Sequence, residues 1–578
     1  MKKNVLALSI AAMVGGLGLA GAASAAVITG TGVANGMTTT NATTLQISDA
    51  GVGHNLLVPY FNAQNGNMSV FHVVNTDQVN GKAVKVRFRS ASNSDDVLDF
   101  QLFLSPGDVW TGAVTADADG LAQITTADNS CTVPALQKNV PQKFVTDRLN
   151  PNIVPADKRN QTREGYVEIF NMADIPVNTT GTTAAPTLYQ AIKHVNGVAP
   201  CSVAGSPART LLNNTAVTNY TDEVVARTAG FDTPSTGLMG DWYIINVPQT
   251  TTYSGAATSV AARIAQNNNA NARGNFVHFP QTNAVATGTV NNFTADPLFR
   301  SGSFPASSTS STATYGGPIA TPVLQASFYD LPDMSTPYTV ASAGGAAVTP
   351  LTQAALLTQA LAVTSVTNQY ATDASISAKT DWVFSMPTRR YSVAANYAAT
   401  GTNAAGTAVS GIAAPAYRLF SQLNTGAAGV EWFRPGNTSV DSVGNICVNA
   451  QSQTFYDREE TTPGAATTEP VFSPGNPQAP GVVNFCGETS VLAFKDSGLS
   501  VLGGNVARST IQTGFYENGW GLINTINGAN GTAADTTGAG LPILGNAFIK
   551  LTNPNVGAGI SGTYGITWPH RFTRIQAQ

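Results

Sequence analysis

Between Leu56 and Val114 apolar and polar residues alternate with the two-residue period of a β-strand, and the pattern restarts five times. The predicted strands are Leu56–Asn62, Met68–Asn75, Ala83–Ser90, Val97–Leu104 and Asp108–Val114. Turn chemistry separates them: Asn65-Gly66 and Asn80-Gly81 tolerate positive φ, Ser94-Asp95-Asp96 is polar, and Pro106-Gly107 suits the centre of a type II turn. The third strand places Val84, Val86 and Phe88 on one face and Lys85, Arg87 and Arg89 on the other. The fourth turns Leu98, Phe100, Leu102 and Leu104 inward, with Asp99 and Gln101 outward. A half-buried antiparallel meander follows. This is a structural signal and not a catalytic one.

Composition narrows what such a sheet belongs to. Only 11% of the 578 residues are charged, against about 25% in ordinary globular chains, so Thr, Ser, Asn and Gln must make the polar surface. With 43% hydrophobic residues there is material for real cores, and charge-driven disorder is excluded. A net charge of −4 gives no electrostatic reason to expect nucleic acid as a partner. Met1-Lys2-Lys3, the apolar run Val5–Ala20 and Ala23-Ser24-Ala25 have the form of a signal peptide over residues 1–25, cleaved between Ala25 and Ala26. No later stretch has 18 consecutive apolar residues, and the first cysteine is Cys131, which argues against a helical anchor and a lipoprotein. Four cysteines in an exported chain predict two disulfides. Three connectivities are open, and sequence proximity favours Cys131–Cys201 with Cys447–Cys486.

The rest of the chain continues in short strands and loops. Ala26–Gly53 reads as a polar terminus or local edge strand rather than an arm given to a neighbouring copy. Further strands are predicted at Gly165–Met172, Asp241–Val247, Thr380–Val393, Phe485–Phe494, Trp520–Ile523, Gly540–Leu551 and Tyr564–Trp568. Leu188–His194 suits a short helix, and Pro350–Val363, with Thr349 as cap, a longer one. Gln266–Asn269, Ser301–Gly317 and Ala394–Ala414 read as loops. The expected fold is mainly β: antiparallel β-sandwich domains with long Gly/Ser/Thr/Asn-rich loops and one or two short helices. An N-terminal sandwich over residues 26–250 and a C-terminal β-rich domain over 251–578 are expected.

Few residues point to chemistry. Asp117, Asp119-Gly120 and Asp128 resemble the opening of a calcium loop but lack its closing Glu, so a polar turn ranks ahead of a calcium site. Asp457, Glu459 and Glu460 form the densest carboxylate group; solvated charge ranks first there, as it does for Asp330 and Asp333. The five histidines, His54, His72, His194, His278 and His570, form no metal or catalytic motif, and no nucleophile elbow or P-loop is present. The expectation is therefore no enzyme and no cofactor beyond calcium. The stripe Lys85, Arg87, Arg89 offers charges for lipopolysaccharide phosphates, but pairing with Asp99 and Gln101 on the next strand ranks ahead.

Several segments resemble exported cell-surface proteins of Gram-negative bacteria, a group that includes the surface-layer protein associated with vesicle-encasing nanopods. They are Gly53–Asp77 (GHNLLVPYFNAQNGNMSVFHVVNTD), SPGDVW at Ser105–Trp110, SCTVP at Ser130–Pro134, TDWVFSMPTRRY at Thr380–Tyr391 and GLPILGNAFI at Gly540–Ile549. The resemblance implies a secreted, self-assembling lattice protein outside the outer membrane, with copies of itself as partner, lipopolysaccharide as a second partner, and no catalytic residues. A porin-like barrel and a secreted hydrolase are the alternatives; the predicted strands are short for lipid-facing alternation, and a hydrolase needs convergent polar groups that sequence does not display.

Overall fold

The computed structural model describes residues 27–265, 267–281 and 332–574, except 343, 398, 403–404, 415–416, 421–431, 434–435, 459–482, 496–499, 512, 514–515, 527–539 and 558–559. The signal segment with Ala25 and Ala26, the Ser301–Gly317 tract, Asp330 and the pair Glu459-Glu460 lie outside the described residues. The fold is mainly β, with strands over 44% of the described residues and helices over 13%.

The five strands of the opening stretch form at Asn55–Asn62, Asn67–Asn75, Gly81–Ser90, Asp96–Leu104 and Val109–Ala116, within about two residues of expectation. They do not make one meander. Asn55–Asn62, Gly81–Ser90 and Asp96–Leu104 enter an eight-stranded sheet, whereas Asn67–Asn75 and Val109–Ala116 enter a six-stranded one. The order in the eight-stranded sheet is Thr44–Ile47, Thr258–Ile264, Asn55–Asn62, Glu164–Ile175, Gly81–Ser90, Asp96–Leu104 and Cys131–Val133, with Asn267–Asn271 also on Thr258–Ile264. The six-stranded sheet runs Thr251–Ala256, Leu238–Asn246, Asn67–Asn75, Val109–Ala116, Ala122–Thr126 and Gln142–Lys143. The turn chemistry is as expected at three of the four turns: Asn65 and Gly66 take φ of 51° and 78°, Ser94 takes 62°, and Gly107 takes 72°. Asn80-Gly81 differs. Gly81 is extended, and glycine is needed there because Ile192 and the Leu104 carbonyl lie 2.5 and 2.9 Å from where a Cβ would stand.

Between these two sheets, Val86, Phe88, Phe100, Leu102, Trp110, Val167 and Trp242 build a buried core. The other face of the eight-stranded sheet was expected to meet water, and it does not. Ala83, Phe103, Phe170 and Met172 pack there under a third layer. That layer contains the helices Leu188–Ile192, Pro207–Val217 and Pro350–Leu361 and the stretch Phe276–Phe279. Lys85, Arg87 and Arg89, at most 3% exposed, are sealed under it. A stripe so covered is closed to lipopolysaccharide phosphates.

The pairing reading of the stripe holds for Asp99, while Asp96 and Glu168 stand in place of Gln101, whose amide donates to the Phe279 carbonyl at 2.9 Å. Arg87 lies between Glu168 and Asp99 in register, and Arg89 between Tyr166 and Asp96, so basic side chains alternate with acidic or phenolic ones across three adjacent strands. Arg87 is paired with Asp96 and Lys85 with Asp99. Arg89 Nε lies 3.3 Å from Glu168, and its Nη1 donates to the Ser94 carbonyl at 3.2 Å. Lys82 Nζ lies 2.8 Å from Asp174.

The division expected at residue 250 falls inside a hairpin: Leu238–Asn246 pairs with Thr251–Ala256, and the chain then returns to the eight-stranded sheet through Thr258–Ile264. Residues 26–53, expected as a polar terminus or edge strand, pair with their own chain through Thr44–Ile47 and the Ile28–Phe276 bridge. The C-terminal part has its own sandwich. One five-stranded sheet orders Ser452–Asp457, Asn518–Asn524, Ala362–Ala371 and Leu541–Pro542, with Arg571–Arg574 also on Ala362–Ala371. The other orders Arg508–Ile511, Thr489–Phe494, Lys379–Ser385, Leu544–Gly557 and Ile560–Pro569. Trp382, Phe384, Phe455 and Phe494 fill the space between them.

The two sandwiches share side chains: Val383, Val491 and Phe548 from the second complete the core of the first. Polar links add to this. Glu164 accepts from the Asn505 amide at 2.8 Å, Asn67 Nδ2 donates to the Leu502 carbonyl at 2.6 Å, and the Glu488 amide donates to the Ala91 carbonyl at 2.8 Å.

Both disulfides have the favoured connectivity. Cys131–Cys201 ties the eight-stranded sheet to the turn before helix Pro207–Val217, and Cys447–Cys486 joins directly opposed strands. The helix from Pro350 is capped by Thr349, as its sequence suggests, but stops at Leu361; the β-branched run Val363, Thr364, Val366, Thr367 continues as a strand. The loop expected at Gln266–Asn269 contributes to the strand Asn267–Asn271. No described sheet closes on itself.

Arg89 supplies the clearest test of the buried charges. Arg89→Met leaves Glu168 without its cation in a dry interior, so denaturant unfolding should show a loss of about 3–5 kcal/mol. Adding Glu168→Leu should restore much of it, because an apolar pair of similar volume leaves no orphaned charge.

Candidate functional site

Asp117, Asp119 and Asp128 do not come together. Asp117 and Asp119 occupy the tight turn before Ala122–Thr126, and Asp128 lies beyond the far end of that strand. Five strand residues span about 16 Å, far more than one coordination sphere allows. The Asp117 carboxylate accepts from the amides of Asp119 and Leu121, both at 2.9 Å, and meets Lys143 at 2.7 Å. These contacts hold it below the ordinary carboxylate range. Asp128 accepts from the Ser130 amide at 2.7 Å and its hydroxyl at 2.8 Å. Both are turn-stabilising aspartates, and the calcium site is corrected to two separate Asx turns. Among the described residues one cluster has metal-like spacing, Asp441 with Cys447 and Cys486, but its two sulfurs are bonded to each other and have no thiolate to offer.

The histidines are spread through the fold. His54 is buried with its Nε2 2.9 Å from the Ala272 carbonyl, while Nδ1 accepts from the Ala262 amide; burial first lowers its pKa to about 4. His570 is buried against Phe384 with centroids 4.6 Å apart, and burial lowers it to about 3. His278 lies among Tyr220, Phe231 and Phe276 and is lowered to about 3 for the same reason.

Among the described residues His194 is the histidine grouped with a serine and a carboxylate, Ser105 and Asp108, both from the SPGDVW motif. Ser105 Oγ is 3.2 Å from Nδ1 and Asp108 is 3.6 Å from the same nitrogen. A nucleophile and an orienting carboxylate must engage opposite ring nitrogens to relay a proton, and here both compete for one. Asp108 also accepts from the Ser105 amide at 3.1 Å and from Ser130 Oγ at 3.1 Å, so the group caps a turn.

A cleft of about 1000 Å³ lies at the junction of the two sandwiches. It is built from Asn150–Val154 and the helix Pro155–Gln161 on one side, and Tyr397, Ser410–Ile412, Tyr417, Ser442–Val443 and Asn505–Val506 on the other. Several of its polar side chains are bonded to their own chain. Asn152 Nδ2 donates to the Tyr397 carbonyl at 2.9 Å, Asn160 Nδ2 to Asn505 at 2.5 Å, and Tyr417 Oη to the Gly444 carbonyl at 2.7 Å. Tyr397 Oη donates to the buried Asp95 carboxyl. Its rim is aliphatic: Val154, Ile412 and Val443 are 58%, 40% and 59% exposed. Because the lining residues are hundreds of positions apart, no local sequence signal announces the cleft. The surplus of exposed valine is visible only once burial is known.

Burial pushes Asp95 up to about 7, against the pull of the Tyr397 hydrogen bond and Arg89. The folded state thus keeps this proton from about pH 4, where an unfolded aspartate releases it, up to about pH 7, and stability falls as pH rises through that window. The buried histidines act in the opposite sense: their contribution is present above about pH 6.5 and lost as pH falls toward 4. Comparing Asp95→Asn with the unchanged chain cancels the histidines. The stability difference should move in favour of Asp95→Asn by about 1 kcal/mol between pH 6 and pH 8, read from urea midpoints. A difference constant across that range would mean that Asp95 is ionised throughout.

No protein-family model, curated protein or solved structure matches the chain.

Proposed function

We propose that the protein is a structural component of the cell surface, exported and assembled from copies of itself into a surface-layer lattice or a vesicle-encasing tube. The observation that carries this reading is the cleft's exposed aliphatic edge of Val154, Ile412 and Val443, beside which Asn152 and Tyr417 are bonded to their own chain. Such an edge suits an apolar segment of another protein chain, because covering it removes exposed aliphatic surface from water.

The same chain carries a counterpart. Val195, Val203, Val217, Val224 and Val225 are all exposed in the helical stretch between residues 195 and 225, near the Cys131–Cys201 bridge. A projecting patch that fits a cleft elsewhere on an identical copy makes a head-to-tail contact, and head-to-tail contacts that do not close into rings propagate into lattices or tubes. The interlocked sandwiches support this use, because a shared core gives each copy a fixed shape. Low charge lets neutral surfaces approach closely.

Mature chain should form ordered assemblies by light scattering and negative-stain electron microscopy. The double substitution Val154→Asp with Val443→Asp should hold it at monomer mass with its urea midpoint unchanged, and Val224→Lys with Val225→Lys should do the same from the other side. A chain that stays monomeric with and without calcium would sink the reading.

A further inference from the structure

The Ser452–Asp457, Asn518–Asn524 and Ala362–Ala371 sheet presents a different surface. Its register sets Tyr456, Trp520 and Gln369 in one line across three strands. Thr454, Leu522, Thr367 and Arg571 form the next line. Alternate residues Phe455, Ile523, Val366 and Tyr370 point into the core, so both lines face outward. Tyr456 and Trp520 stack with centroids 4.4 Å apart and planes 13° from parallel. Trp520 is nonetheless 39% exposed.

A second indole faces this platform. Trp568, 41% exposed, stands at the end of the edge strand Ile560–Pro569. Its position is fixed by two neighbours: its carbonyl accepts from Asn368 Nδ2 at 3.1 Å, and the next residue but one, His570, is buried against Phe384. Between the two tryptophans lies a groove of about 200 Å³, floored by Thr367, Asn368 and Gln369 and closed at one end by Arg571. Arg571 is exposed and has no ion-pair partner among the described residues.

Two indoles left about two-fifths exposed forgo part of their burial energy, so a surface that positions them beside amide, hydroxyl and guanidinium groups is built for a partner with both characters. An aliphatic protein surface would strip water from Gln369, Thr367 and Arg571 without replacing their hydrogen bonds. A nucleic acid strand needs cations along its whole track, and this groove has one. Sugar rings meet every requirement: flat C–H faces for the indoles, hydroxyls for Gln369 and Thr367, and a carboxylate for the planar fork of Arg571. We propose that the groove between Trp520 and Trp568 binds a polysaccharide whose pyranose rings carry carboxylates, with Arg571 reading the acid.

Affinity electrophoresis of the mature chain tests this, with alginate as the polyuronate and dextran as the neutral control. Alginate should retard the protein and dextran should not. Trp520→Ala and Trp568→Ala should each weaken the apparent alginate affinity at least tenfold, and Arg571→Gln should abolish the preference over dextran. Circular dichroism identical to the unchanged chain certifies each fold. Because Trp568 and Arg571 contribute little to the core, their variants keep the test usable if Trp520→Ala unfolds. No retardation by alginate, full binding by folded Trp568→Ala, or equal retardation by both polymers overturns the proposal. Loss of self-assembly in the tryptophan variants without alginate binding overturns it too, and marks the face as a contact between copies.

Discussion

The ion pairs inside the eight-stranded sheet set the terms for the rest of the molecule. Lys85, Arg87 and Arg89 sit on one strand face with Asp96, Asp99 and Glu168 on the strands beside it. A face of that composition is soluble alone and needs no lid. Once lidded, every charge must keep its partner, because a buried unpaired ion costs several kcal/mol. The lid meets that demand with its own groups. Asp333 carries a carboxylate 2.6 Å from Arg390 and 3.9 Å from Arg89, and the Arg87 guanidinium also donates to the Pro332 carbonyl at 3.2 Å. Asp333 consequently titrates below the ordinary range although burial alone would raise it. The third layer is therefore specified electrostatically as well as by its apolar helices.

That specification explains why the two sandwiches form one body. The hairpin turn after Gly81–Ser90 projects Ala91–Asn93 into the C-terminal half, where Asn93 Nδ2 donates to the Gly444 carbonyl at 3.0 Å and the Ala91 carbonyl accepts from Glu488. Glu488 in turn pairs with Arg389 and accepts from the Arg390 amide at 2.8 Å. Breaking the junction would expose these ions together with Phe548, which packs on Tyr253 at 5.5 Å and Trp242 at 6.0 Å. Separation loses hydrophobic and ionic contacts at once, so the halves are expected to unfold together rather than in steps.

Local order was legible in the sequence because it is local. Alternation and turn residues placed the strands from Leu56 to Val114 within about two residues, and the Thr349-Pro350 start located the long helix. Proximity was enough to pair the cysteines. Alternation cannot say whether a polar face meets water or a third layer. Lys85 and Arg87 read as solvent-facing for that reason, although their partners on the next strand were recognisable. Domain division failed similarly: a turn at residues 247–250 looks like any boundary, and only the pairing of Thr258–Ile264 with Asn55–Asn62 shows that the chain comes back. The acidic loop was misleading because carboxylates close in sequence stood at opposite ends of a strand. The cleft and the indole groove unite residues far apart in the chain, including Tyr456, Trp520 and Trp568.

Drawing charge inward also decides how this chain can meet other molecules. A sequence with 11% charged residues that folds many of them into a seam has few left for long-range steering. Recognition must then rest on short-range contacts, and the surface offers two distinct kinds. Valine and isoleucine at the cleft rim are matched to another apolar surface, where burial and shape supply the energy. Tryptophan beside Gln369 and Arg571 is matched to a partner that is apolar on one face and hydroxylated at its edges. Because they lie on different elements and favour different chemistry, the two proposed contacts, with a copy of the chain at one and an acidic glycan at the other, would not compete for the same ground.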